Sequence, residues 1–291
     1  MAPAHPAALL HSAFYRFTPL ADPLAAAALL RGLAQGLQGS VVLAAEGISG
    51  ALAGPPALLA GFEAALQQAD VLAGALRGMA FKHSACSTPP FGRLKVSVKP
   101  EIVALGLSVA GSPAQALPPD EHDASHLAPA AWRALLARGD GSSGAVLLDN
   151  RNHFEFRLGH FRGAVDPQVH NFRDFATYVQ ANAPAWRAAG RPVAMYCTGG
   201  IRCDKTAPWL RSLGLQVWQL DGGILNYLQH SQAATGLDGA WQGDCFVFDR
   251  RIALDAHLQE TGATAEQVFD AAQPDEAWRL RRARRLDATP R

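Results

Sequence analysis

Six residues, Cys197-Thr198-Gly199-Gly200-Ile201-Arg202, constrain this chain more than any other stretch. An apolar run from Pro192 to Tyr196 precedes them and reads as a buried strand, and a helix-compatible run from Asp204 to Leu213 follows. A cysteine on a glycine-rich turn between strand and helix sits where peptide N–H groups and the positive helix end converge. That field favours thiolate over thiol, and a free cysteine with a pKa of about 8.5 needs such help at neutral pH. Gly199 and Gly200 permit backbone conformations that turn several amides inward. Arg202 adds a fixed positive charge at the far end of the turn. A structural cysteine beside a turn is the competing reading, but it leaves the glycines and the arginine without a purpose. Cys197 is therefore the candidate nucleophile, and Thr198, Gly199, Gly200, Ile201 and Arg202 are its active loop.

Upstream, Leu147-Leu148-Asp149-Asn150-Arg151 reads as a strand ending in polar residues. Glu155 and then Gly159-His160-Phe161-Arg162-Gly163-Ala164 come next, and Leu220-Asp221-Gly222-Gly223 lies downstream. The pattern D-x-R-x-x-x-E-x-x-x-G-H-F-x-G-A, then C-x-x-G-x-R, then L-D-G-G resembles the rhodanese domain over residues from about 130 to 233. The resemblance implies an α/β fold with a central parallel sheet and a loop that cradles the cysteine. In that family the cysteine carries a persulfide or accepts sulfur as a thiolate. Four residues separate Cys197 from Arg202, against five in the related cysteine phosphatases, whose wider ring suits a tetrahedral oxyanion. A phosphatase is therefore disfavoured. Asp149 and Arg151 read as supporting charges that brace loops at a strand end, and His160 as a structural hydrogen-bonder. Cys203 is a supporting thiol, and a 197–203 disulfide requires the loop to rearrange. Cys86 and Cys245 are expected to serve packing.

Residues 12 to 100 read as a separate unit. Ala13 to Phe17 is strand-like, Pro23 to Leu37 has helical spacing, and Val41–Ala45 and Gly50–Ala53 flank a turn at Glu46-Gly47-Ile48-Ser49. Pro56 to Gln68 is helical, while Phe81 and Leu94–Val98 look extended. The order β-α-β-β-α-β predicts a ferredoxin-like α+β domain. Three stretches, Ala45-Glu46-Gly47-Ile48-Ser49-Gly50, Pro90 to Val96 and Lys99 to Gly106, resemble the N-terminal region of the tRNA uridine hydroxylase family. That family joins this region to a rhodanese domain whose loop reads C-T-G-G-I-R-C, here Cys197 to Cys203. Gly243-Asp244-Cys245-Phe246-Val247-Phe248-Asp249 matches as well, so the resemblance spans roughly residues 12 to 260. It implies oxygen-dependent hydroxylation of wobble uridine 34 of tRNA to 5-hydroxyuridine, with Cys197 as the reactive, persulfide-capable cysteine. Molecular oxygen and a reductant follow from the resemblance, as do the tRNA anticodon region and a sulfur or electron donor as partners. The alternative function is a rhodanese-type sulfurtransferase moving sulfane sulfur to a thiol or protein acceptor. A redox sensor built on Cys197 and Cys203 is a third. Ser49 and Asn150 depart from the family's usual residues, and no cysteine follows Cys245.

With four cysteines and no C-x-x-C pair, no structural metal is expected, and no cofactor motif is evident. A hydrophobic content of 49% with 18% charged residues describes a soluble chain with real cores, and no apolar run reaches the roughly twenty residues of a bilayer span. The N-terminus is a poor signal peptide, and a thiolate with few other cysteines fits the cytoplasm. The expected organisation is a ferredoxin-like domain over 1–107, a Pro- and Ala-rich linker over 108–127, a rhodanese domain over 128–235 and a C-terminal extension with a basic tail over 236–291. A net charge of +1 gives no general case for nucleic acid. Local cases are the run from Trp278 to Arg285 and the weaker group Lys82, Arg93, Lys95 and Lys99. Phe14, Tyr15, Phe81 and Phe91 are candidate base-stacking residues, with core packing the competing reading.

Overall fold

Alternating apolar residues and proline-led helices organise the first part of the chain in the computed structural model, which describes residues 9–107, 125–138, 144–234 and 239–287. The chain divides by contacts into two units, the first closing at Ile102 and the second opening at Val103. Residues 1–8, where the N-terminus is expected not to act as a signal peptide, and most of the expected linker, 108–124, lie outside the described residues.

In unit 1, β1 (Leu9–Phe17), α1 (Pro23–Leu33), β2 (Gln38–Ala44), β3 (Gly47–Gly54), α2 (Pro56–Gln68), β4 (Phe81–Cys86) and β5 (Leu94–Val98) follow in order. Asp22 caps α1 by accepting from the Leu24 and Ala25 amides at 3.0 and 2.9 Å, and Pro23 sets the first turn. The sheet runs β4-β1-β3-β2-β5. Its first four strands are antiparallel neighbours, as the six-element pattern requires, and β5 adds a fifth strand parallel to β2. Leu30 of α1 and Leu59, Phe62 and Leu66 of α2 bury against Phe14, Val41, Leu43, Ile48 and Leu52 in one core. The β2–β3 turn is tighter than the sequence suggests, because Ala44 pairs with Gly47 and leaves only Ala45 and Glu46 outside the ladder. Gly47 has φ +144, and a Cβ there would fall 2.0 Å from the Arg16 carbonyl oxygen. Glu46 is buried and accepts from the Ile102 amide at 2.8 Å.

Unit 2 contains β6 (His126–Leu127), α3 (Pro129–Ala137), β7 (Val146–Asp149), α4 (His153–Leu158), β8 (Gly159–Phe161), α5 (Phe175–Ala188), β9 (Val193–Tyr196), α6 (Ile201–Ser212), β10 (Val217–Leu220) and α7 (Gly223–Ala234). β11 (Trp241–Gly243), β12 (Cys245–Phe246), β13 (Ala253–Leu254), α8 (Ala265–Val268) and α9 (Pro274–Asp287) complete it. A four-stranded sheet of order β6-β10-β9-β7 is parallel throughout. β6 thus lies inside the stretch read as linker, its apolar pattern too short to be seen beforehand. The buried run Val193 to Tyr196 forms the centre of this sheet, with all four residues at 0% exposure, which explains why it is uniformly apolar rather than alternating. Asp149 pairs with Tyr196, so β7 and β9 end level and release Asn150 and Cys197 at the same carboxyl edge. In parallel α/β sheets that edge is where ligands bind.

The C-terminal segment is part of this unit's structure. β11 pairs antiparallel with β8, and Phe246 and Phe269 close around Phe154 of α4 at ring separations of 5.1 and 5.0 Å. Arg279 of α9 donates to the His170 carbonyl at 3.0 Å and to Asn171 Oδ1 at 2.8 Å.

Candidate active site

The loop after β9 closes around sulfur. Gly200 takes φ +103, a conformation that favours glycine, and hands the chain directly to α6. The helix therefore begins at Ile201, three residues before the position expected from sequence. That places Arg202 and Cys203 in its first turn, where amides have no intrahelical acceptor. The Gly200 amide donates to Cys197 Sγ at 3.1 Å, and the amides of Arg202 and Cys203 also reach it.

Cys197 is 1% exposed, and its burial by itself works against ionisation. That penalty is outweighed by the Cys203 thiol, which donates to Cys197, by the Arg202 charge, and by the Cys203 and Arg202 amides. The Cys197 thiol is lowered to about 6 and is roughly nine-tenths thiolate at pH 7. Cys203 moves the other way, since burial and the neighbouring Cys197 push its pKa well up, so it stays protonated and able to donate. The pair is asymmetric: one sulfur carries charge and the other carries the proton.

Arg202 does not serve Cys197 alone. Both its terminal nitrogens bind the buried Glu155 carboxylate at 2.9 and 2.8 Å, a fork-to-fork ion pair. Glu155 also accepts from the Asn152 amide at 3.1 Å, which closes the first turn of α4. The Cys203 thiol exceeds Arg202 as a stabiliser of the Cys197 thiolate. Glu155 stood in the sequence motif, but nothing local showed which arginine it would meet 47 residues later.

Asp149 and Arg151 form a second buried fork, at 2.9 and 2.7 Å, and Arg151 also donates to the Gly159 carbonyl at 2.6 Å. Burial pushes the Asp149 carboxyl up against the pull of Arg151. The Arg151 guanidinium lies 5.7 Å from the Tyr196 ring centre and 5.6 Å from that of Trp241. This pair ties β7, β8 and β9 together beneath the loop and does not touch Cys197. Asn150, between them, donates to Thr206 Oγ1 at 2.8 Å and approaches Cys203 Sγ at 3.9 Å. The departure from the family's usual residue thus lies against the second cysteine. His160 stacks on Phe156 and bonds its carbonyl.

The second glycine pair of the motif holds the loop from behind. The amides of Ile224 and Leu225 donate to the carbonyls of Cys197 and Thr198 at 2.9 and 3.1 Å. A Cβ on Gly223, whose φ is +71, would fall 2.5 Å from the Cys197 carbonyl oxygen and 2.7 Å from that of Thr198. The Thr198 hydroxyl is buried with no hydrogen-bond partner among the described residues. Among the described residues, no group of three or more His, Cys, Asp or Glu side chains comes together as a metal-holding site.

Cys245 is buried against the aromatic core of this unit, and burial pushes its thiol up to about 12. Cys86 lies partly exposed at the end of β4.

A parallel sheet whose edge presents an amide-held thiolate on a six-residue loop defines a rhodanese-type α/β domain. A family model described as "Rhodanese-like domain" matches residues 118–230, and one described as "UPF0176 acylphosphatase like domain" matches residues 10–102. The tRNA uridine(34) hydroxylase of Jannaschia sp. is 42% identical over 86% of this chain and 77% of its own length. That of Synechococcus elongatus is 44% identical over 84% and 85%, and that of Nitrobacter winogradskyi 40% over 91% and 98%. The chain belongs to the tRNA uridine(34) hydroxylase family.

Proposed function

We propose that this protein hydroxylates the wobble uridine of tRNA at C5, giving 5-hydroxyuridine, with Cys197 as the reacting group. The observation that carries the reading is a cysteine whose sulfur is met by three amides, a neighbouring thiol and the Arg202 charge, which lower its pKa to about 6, in a chain of this family. A thiolate adding to C6 of uracil leaves C5 as an enolate carbon, nucleophilic towards an oxygen donor. Loss of the C5 proton and expulsion of the thiolate then restore the ring and return Cys197 unchanged. The overall change takes one oxygen atom of O2 into the base and the other into water, and needs two electrons from a reductant. Asp149, Arg151 and Cys203 act by position: the first two fix the sheet edge and the third supplies a proton-bearing donor to the thiolate.

The cytoplasm, reducing and rich in tRNA, suits both the thiolate and the substrate. No helix among the described residues is long and apolar enough to cross a membrane. The rhodanese-like match favours one competing role, transfer of sulfane sulfur through a Cys197 persulfide. In a deletion strain, plasmid-borne wild type is expected to restore 5-hydroxyuridine derivatives in tRNA nucleoside digests, and Cys197→Ser to restore none. Retention of the modification by Cys197→Ser removes the catalytic assignment. Fast thiosulfate:cyanide turnover with tRNA unchanged selects the sulfur-transfer role instead.

A further inference from the structure

Phe248 is the feature of unit 2 that the chemistry above leaves unused. It is 61% exposed, the most open large apolar side chain among the described residues of that unit. An aromatic ring left in water is ordinary by itself, but its placement here is not. Its inner edge meets Phe246, with ring centres 4.9 Å apart at 87°, and Phe246 in turn packs on Phe154 of α4. The Arg202 guanidinium lies 5.5 Å from the Phe248 ring centre and 5.8 Å from that of Phe172. Arg202 spends its terminal N–H groups on Glu155 and the Asn150 carbonyl, so its planar faces are left for the two rings. The same arginine acts on the Cys197 thiolate. One side chain, on the first turn of the helix that follows the Cys197 loop, therefore lies against the exposed ring and carries a charge that acts on the sulfur.

The aromatics considered from sequence do not offer this. Phe14 is in the core with Phe62 and Phe81, Tyr15 sits against Phe17 and Lys82, and Phe91 stacks on His11. Each already has its partner. Phe248 has Arg202 over its ring and Phe246 at its edge, yet remains 61% exposed, so it is held in place and still offers aromatic surface. That combination fits a planar, unstacked pyrimidine better than an apolar peptide side chain, because the flanking groups are charged and hydrogen-bonded.

We infer that Phe248 is the stacking platform for the uracil ring presented to Cys197. The inference rests on the functional reading above and adds the residue that receives the base. The test compares full-length wild type with Phe248→Ala and Phe248→Trp, using fluorescence anisotropy on two anticodon stem-loop RNAs, one with uridine at position 34 and one abasic there. Wild type is expected to prefer the uridine loop by roughly 5- to 150-fold. Phe248→Ala is expected to abolish that preference while binding the abasic loop as wild type does, and Phe248→Trp to keep it. The pH midpoint of Cys197 alkylation should be the same in all three, which certifies an intact loop. A preference that survives in Phe248→Ala, or equal weakening of both RNAs, overturns the platform. If wild type hydroxylates tRNA yet shows no preference, the platform alone falls. If wild type neither binds nor hydroxylates the RNA, the functional reading falls with it.

Discussion

Removing the Cys203 sulfur should deprive the Cys197 thiolate of its largest stabilising partner. Cys203→Ala deletes one hydrogen bond to a charged acceptor, while Gly200, the backbone amides and Arg202 remain in place. Hydrogen bonds to charged groups contribute about 1.5–3 kcal/mol. At 1.36 kcal/mol per pKa unit, the Cys197 midpoint should rise from about 6 to roughly 7–8. The assay is the rate of iodoacetamide alkylation of Cys197 against pH, followed by peptide mass spectrometry. A single rate at pH 7 is a poor readout. The thiolate fraction falls from roughly nine-tenths to between a half and a tenth, but a more basic thiolate is intrinsically about threefold more reactive per unit, and the two nearly cancel. The midpoint and the plateau carry the information: the midpoint moves up and the plateau rises about three- to tenfold. Cys203→Ser keeps a donor at the same atom and should hold the midpoint near the wild-type value. A Cys203→Ala midpoint within about 0.3 of wild type would refute the view that this thiol, rather than Arg202, dominates the site.

Glu155→Gln leaves a buried guanidinium without its carboxylate, at a cost of about 3–5 kcal/mol, and should lower the urea midpoint of unit 2 by more than about 1 M. An unchanged midpoint would show the ion pair to be dispensable. Gly223→Ala places a methyl against two loop carbonyls at positive φ and should destabilise the protein and slow alkylation of Cys197, whereas Gly199→Ala, with nothing within 4 Å of its Cβ, should be close to neutral; matching effects in thermal melts would contradict this. Linkage predicts a pH effect as well. The folded Cys197 pKa lies below its unfolded value of 9.0, so its contribution is fully present above pH 9 and fades as pH falls through 6. Its ceiling is about 4 kcal/mol, three units at 1.36. Denaturation of wild type and Cys197→Ser at pH 5, 7 and 9 should diverge with rising pH, and parallel curves would rule the effect out.

Much of the active loop was legible because its chemistry is local. Cys197, Gly199, Gly200 and Arg202 stand within six residues, and the field that ionises the sulfur comes from the peptide groups of that same turn. The strand–loop–helix order around them, and the β-α-β-β-α-β order of the first unit, were also visible, since each segment shows its own periodicity. The start of α6 was misplaced because Ile201-Arg202-Cys203 has no conspicuous helical signal, and the glycine at position 200 that launches it reads equally well as loop. Leu94–Val98 read as extended and is β5 with those bounds, but its place as a strand parallel to β2 depends on pairing that five residues of Leu-Lys-Val-Ser-Val cannot announce by themselves.

What sequence alone determined, then, is the candidate cysteine, the glycine-rich loop around it and the class of each unit, all properties set by neighbours along the chain. Only the tertiary structure decided which charges meet. It joined Glu155 to Arg202 across 47 residues, whereas the Asp149–Arg151 pair, two residues apart, was already read from the sequence as bracing charges. It set the Cys203 thiol ahead of the arginine as the thiolate's partner, and it brought Phe248 against Arg202 and Arg279 of α9 against His170, contacts between residues far apart in the chain. The physical reason is range: backbone conformation follows local preference, whereas a buried charge is settled by whichever partner the fold brings within about 3 Å in a medium that screens little.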